Sequence, residues 1–188
     1  MATTELPHRE YVRMAAAAAG PLSAAVTVVG HSGAGAFLPA IGEKIKVDTA
    51  LLFVDAVIPP PVLAHTTPAR MKDLLDEQTD DGILRPWLAW WPSEVVAELL
   101  PDVGDRNELA ADMPRLPRSF YDIEVDVPSG WSDEACAYLR LSAGYNSELD
   151  EAEARHWPTA ALASTHLGVY TEPASVLAAI ENLITQIT

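Results

Sequence analysis

The sequence predicts an α/β fold with a mostly parallel sheet of about four strands flanked by helices. Three observations carry this. Short β-rich apolar runs at 24–29, 50–54, 135–141 and 159–163 are separated by helical patterns. The first run leads straight into Gly30-His31-Ser32-Gly33-Ala34-Gly35, a glycine cluster that opens a helix. Near the end, Val176, Leu177, Ile180, Leu183, Ile184 and Ile187 form one apolar face at helical spacing.

Taken in order, residues 4–19 read as a helix, because Pro7 suits a first turn, the alanine run favours helix, and Gly20-Pro21 supplies a stop. Ala24 to Val29 is a buried strand. A second helical stretch follows through Ala36, Phe37, Ala40 and Ile41, which Pro39 should bend or shorten. Ala50 to Val54 is the second strand. From 59 to 131 the composition changes. Most of the prolines and four of the five tryptophans fall there, with helical patterns at 68–78 and 92–100. This stretch reads as a helical insertion into a core made of 1–58 and 132–188. The core resumes with a strand at 135–141, a helix at 146–156, a strand at 159–163 and a last helix from Pro173.

At 188 residues, 49% hydrophobic and 21% charged, the chain fits one folded, water-soluble domain. Twelve Lys and Arg against 27 Asp and Glu give a formal charge of -15, which repels nucleic acid and an anionic membrane surface. Cys136 has no mate for a disulfide and reads as a buried small hydrophobe. No apolar stretch approaches the roughly 20 residues that span a bilayer. The apolar segment 14–29 is interrupted by Gly20 and Pro21 and preceded by Glu5, Arg9 and Glu10, a mixed flank that points to a cytoplasmic protein rather than a secreted one.

The glycine cluster sits where a nucleophilic serine needs it, between a strand and a helix. Gly30, two residues before Ser32, and Ala34, two after it, keep the turn narrow and push the hydroxyl outward. The Gly33 amide faces the position where a carbonyl oxygen would gain charge. Such a serine needs a base, and His166, in the loop after the strand 159–163, is placed to supply it.

From Ser32 onward the sequence resembles the α/β-hydrolase superfamily, over roughly residues 5–188. Val29 to Gly35 resembles that family's fifth strand and elbow, Leu52 to Ala56 its sixth strand, and His166-Leu167-Gly168 its histidine loop. The resemblance implies a partial α/β-hydrolase fold with 59–131 as a helical cap. It implies a serine hydrolase acting on a small ester-like substrate through an acyl-enzyme on Ser32, with no metal or organic cofactor. His31, before the nucleophile, would be a pocket residue, as would Trp87, Trp90 and Trp91, which could equally form the cap's own core. The family's usual acid position falls in Ser142 to Asn146, where no carboxylate stands. Asp55, at the family's alternative position after the sixth strand, is the expected acid, with Glu148 as the other candidate.

The resemblance includes neither the strands that precede the elbow in the family nor the loop that donates a second oxyanion amide. That leaves two alternatives beside an active enzyme: a remnant of impaired activity, or a subunit whose first strand pairs with a second copy or a completing chain. A dinucleotide-binding domain is the remaining alternative, with Gly30, Gly35 and Asp55 in the roles of its glycine turn and ribose-binding acid. Against it, Ser32 stands where that motif needs a glycine.

Overall fold

In the computed structural model, residues 7–20, 24–45, 47–60, 64–65, 71–122 and 125–187 are described. Four apolar runs form one parallel sheet of strands numbered in chain order: β1 (Val26–Ser32), β2 (Thr49–Ala56), β7 (Cys136–Arg140) and β8 (Thr159–Ala161), in the order β1-β2-β7-β8. Parallel neighbours need crossovers. Helix α2 (Leu38–Ile45) makes the first, the long segment 57–135 the second, and α6 (Asn146–Ala154) the third. Among the described residues β1 stands at one edge of this sheet.

The central strands β2 and β7 are continuously buried over 51–54 and 136–139 because helices or loops cover both faces. Residues 51–54 and 136–139 are all 2% exposed or less. Their side chains alternate. Leu51, Phe53 and Tyr138 pack with Leu38 of α2 and Ala152 of α6, while Leu52, Val54, Ala137 and Leu139 pack with Val176 and Leu183 of α8 (Pro173–Ile187). The last helix thus uses the apolar face read from its spacing. Helix α1 (Pro7–Ala18) buries Val12 and sets the Tyr11 ring 4.8 Å from Phe37. Its expected first residues, 4–6, lie outside the described residues, as do 68–70 of the insertion. Pro39 falls in the first turn of α2, where its missing N–H is harmless, and a 3-10 turn (Gly33–Phe37) precedes it. Cys136 is buried, and burial, with the nearby Glu134 charge, pushes its thiol up to about 12, so it behaves as an apolar side chain.

Residues Thr66–Glu124 form a second compact unit. It contains α3 (Lys72–Glu77), α4 (Ser93–Leu99), α5 (Val103–Asp112) and a hairpin of β4 (Thr79–Asp80) and β5 (Ile83–Leu84). The hairpin turns on Asp81 and Gly82, both at positive φ, as a two-residue turn of this hand demands. Asp102 caps α5 by accepting from the amides of Gly104 and Asp105. The unit's core is Leu75, Leu84 and Trp90.

This unit is narrower than the 59–131 stretch marked by composition. Val125–Asp126 (β6) pairs antiparallel with Ala64–His65 (β3) in the first unit. Val127 and Trp131 belong to the sheet's own core, where the Trp131 ring lies 5.9 Å from Phe53 and 5.8 Å from Trp157. Prolines and tryptophans mark where the chain leaves the sheet, but tertiary packing decides where it rejoins it. Among the described residues no helix is long and apolar enough to cross a membrane.

Candidate active site

β1 ends on Ser32 with φ 58 and ψ -129, a conformation that is strained for a residue with a side chain. The strain is held by close packing around the turn. A Cβ on Gly30 would lie 2.9 Å from the Leu38 side chain. A Cβ on Gly35 would lie 2.1 Å from the Val57 carbonyl oxygen, which no side chain can tolerate. The position that must be bare on the helical side is therefore Gly35, and Ala34 does not fill that role. The reason is the 3-10 geometry of the turn, whose three residues per turn bring the third residue after Ser32 against the end of β2. Gly33 has nothing within 4 Å of where its Cβ would be. It opens the turn, and the first amides of such a turn have no acceptor inside it.

Asp55 reaches the site through a bulge. The β1–β2 register passes from His31↔Val54 to Ser32↔Ala56, leaving Asp55 as the extra residue, at φ 43. Strict alternation would send residue 55 to the face of Leu51 and Phe53, but Ala56 takes that place. The freed carboxylate, 0% exposed, turns toward β7. Its Oδ1 accepts from the amides of Leu141 and Ser142, each at 2.8 Å. Its Oδ2 accepts from the Ser142 hydroxyl at 2.6 Å and lies 2.7 Å from Nδ1 of His166. Burial pushes this carboxyl upward, but the hydrogen bonds from His166, Ser142 and Leu141 outweigh it and hold the group below its ordinary value.

His166 lies between β8 and the short helix α7 (Gly168–Thr171). An ionised Asp55 can only accept, so Nδ1 carries the ring proton and Nε2 is left as an acceptor. That Nε2 stands 3.0 Å from Ser32 Oγ. The three side chains expected from the sequence thus meet in one chain of hydrogen bonds, although Ser32 and His166 are 134 positions apart. Hydroxyl, imidazole and buried carboxylate in this order have the geometry that moving the serine proton requires.

His31 lies beside them. Its Nε2–H donates to the His166 carbonyl at 2.8 Å, and the two rings lie 4.5 Å apart. Burial and the neighbouring His166 ring lower His31 to about 4 against the opposing effect of that hydrogen bond, so it is neutral at pH 7. Two further residues, which no sequence motif marks, complete the site. Ser142 binds Asp55, and Tyr145 stacks on His166 with ring centroids 5.1 Å apart and planes 8° from parallel. The Tyr145 hydroxyl lies 3.4 Å from Ser32 Oγ. Both lie in Ser142 to Asn146, the stretch where the family's acid falls, and neither is a carboxylate.

Each of the other expected residues has partners within its own unit. Glu148 accepts from the Ser147 hydroxyl in the first turn of α6. Trp90 belongs to the second unit's core, with Trp87 and Trp91 packed against it, and its indole donates to the Arg85 carbonyl. The dinucleotide alternative loses its acid, since both oxygens of Asp55 are occupied inside the protein and unavailable to a ribose.

No protein-family model matches the chain, and no curated protein matches it. Solved structures do match its fold. A variant of tomato methylketone synthase I complexed with β-ketoheptanoate is 12% identical, with a TM-score of 0.62 over 97% of this chain and 77% of that one. The methylesterase MES16 from Arabidopsis is 15% identical, with a TM-score of 0.62 over 95% and 76%. A pyrethroid hydrolase from Sphingobium faniae JZ-2 is 14% identical, with a TM-score of 0.65 over 95% and 78%. These are α/β-hydrolase structures. With its parallel β1-β2-β7-β8 sheet and the tight strand-to-helix turn at Ser32, the chain has a partial α/β-hydrolase fold.

Proposed function

We propose that the protein is a serine hydrolase acting on a small ester-like substrate. Ser32 is the nucleophile, His166 the general base and then acid, and Asp55 the group that orients the imidazole. The observation that carries this reading is the unbroken line from Ser32 Oγ to His166 Nε2 at 3.0 Å and from His166 Nδ1 to Asp55 at 2.7 Å. In the forward step Oγ bonds to the acyl carbon while its proton passes to Nε2. The imidazolium so formed faces a buried carboxylate, which stabilises it, and then returns the proton to the leaving oxygen. Water repeats the sequence to free the acid and regenerate Ser32. The Gly33 amide is the proposed donor to the oxyanion. The names of the methylesterase and the pyrethroid hydrolase support an ester or a related acyl compound as the substrate class.

The test compares the purified chain with Ser32→Ala on a series of short-chain aryl esters. The substitution should lower the turnover by about a millionfold. Equal rates for the two proteins would refute the reading.

A further inference from the structure

Tyr145 closes the 3-10 turn (Ala143–Tyr145) that follows β7, directly before α6. The segment 141–145 touches every member of the cluster. Its first two amides and the Ser142 hydroxyl bind Asp55, its tyrosine ring lies parallel to His166, and its phenol reaches Ser32. Ser32 has one proton, and His166 Nε2 is the acceptor aligned to receive it. The lone pairs left on Oγ can accept, and the nearby Tyr145 hydroxyl can donate.

We propose that Tyr145 is a catalytic residue that donates a hydrogen bond to Ser32 Oγ; this rests on the serine hydrolase reading. In the resting protein the bond keeps the Ser32 hydroxyl turned toward His166. As the proton passes to Nε2, negative charge gathers on Oγ before its bond to the acyl carbon is complete, and the phenol O–H stabilises it. The same donor stabilises Oγ again when water expels it from the acyl-enzyme. Tyr145 keeps its own proton throughout, so no further acid or base is needed. The present 3.4 Å separation is long, and hydrogen bonds of this kind shorten when the reacting state forms. The ring has a second, separate role as cover on the imidazole, and the two roles can be divided by substitution.

The experiment follows covalent labelling of the full chain by an uncharged alkyl fluorophosphonate, read as a mass increase. Oγ bonds to phosphorus, the P–F bond breaks, fluoride leaves and His166 takes the serine proton. Tyr145→Phe keeps the ring and loses only the hydroxyl. Labelling should slow by about three- to tenfold, the range of one hydrogen bond. With an aryl ester the same variant should lose kcat at unchanged KM, and the pH midpoint of labelling should stay where it is in the unmutated chain. Tyr145→Leu removes the ring as well. Loss of rate in Leu with none in Phe would reduce Tyr145 to packing and overturn the proposal. A shifted midpoint in Phe would show that it acts through His166 instead and would equally overturn it. If the unmutated chain takes up no label at Ser32, the hydrolase reading fails first and this inference falls with it.

Discussion

Replacing Asp55 by Asn probes the site at the point where the structure allows the fewest escapes. The carboxylate is fully buried and surrounded by four donors: two amides on Oδ1, and His166 Nδ1 and the Ser142 hydroxyl on Oδ2. Asn can enter in two orientations. With its NH2 toward Leu141 and Ser142, two buried amides lose their acceptor, at about 1–3 kcal/mol each. With its carbonyl there instead, both amides stay satisfied and the NH2 faces His166. That second orientation wins by about 2–6 kcal/mol. It has a consequence. The NH2 can donate to Nδ1 only if the imidazole carries its proton on Nε2, and Nε2 then cannot take the proton of Ser32. The expected outcome is a loss of about 10⁴-fold in kcat with a stability loss of only about 1–2 kcal/mol. Asn also tolerates the positive φ of this position, which Ala would strain. Initial rates on an aryl ester and urea melts measure the two numbers. Glu148→Gln, in the first turn of α6 and bonded to Ser147, should leave the rate unchanged. Asp55→Asn within about tenfold of the unmutated chain would refute the reasoning.

Two further predictions concern the same site. Gly35→Ala should destabilise the fold by several kcal/mol, because a Cβ would fall 2.1 Å from the Val57 oxygen, whereas Gly33→Ala meets open space and should shift stability by less than about 1 kcal/mol; thermal unfolding that ranks them the other way would contradict the packing described here. His31 holds a folded value of about 4 against 6.5 unfolded, so the unfolded chain takes the proton first as pH falls. Its stabilising contribution is whole above about pH 6.5 and lost toward pH 4, amounting to at most about 2 kcal/mol between pH 7 and pH 5. Asp55, whose folded value is lowered, adds to the loss only as pH falls through 3.8 and below. Urea midpoints at the two pH values should converge in His31→Gln, and an equal drop in both proteins would exclude His31 as the source.

The readable parts of this protein are those with local causes. The runs at 24–29 and 50–54 became β1 and β2 because β-rich apolar segments between turn residues have few other ways to bury themselves. Ser32 is legible because it stands among glycines between a strand and a helix, the setting that pushes a hydroxyl outward. Asp55 follows only from the resemblance to the family's alternative acid position, and the sequence does not show the bulge that aims it. From the sequence alone Gly35 has no steric role of its own in the elbow, because its necessity lies in a backbone oxygen 22 positions away. Tyr145 and Ser142 have no local sequence signature, because their contacts to His166 and Asp55 arise only from the tertiary structure.

What the amino-acid order determined by itself was therefore the alternation of strand and helix, the cramped bend at Ser32 and the amphipathic face of the last helix. All of these arise from φ/ψ sterics and from hydrophobic spacing over a dozen residues or fewer. Which side chains meet was decided only by the tertiary structure. Placing β7 beside β2 delivers the Leu141 and Ser142 amides to Asp55 and the Tyr145 ring to His166. No local rule encodes that adjacency, since it follows from burying both faces of one sheet at once.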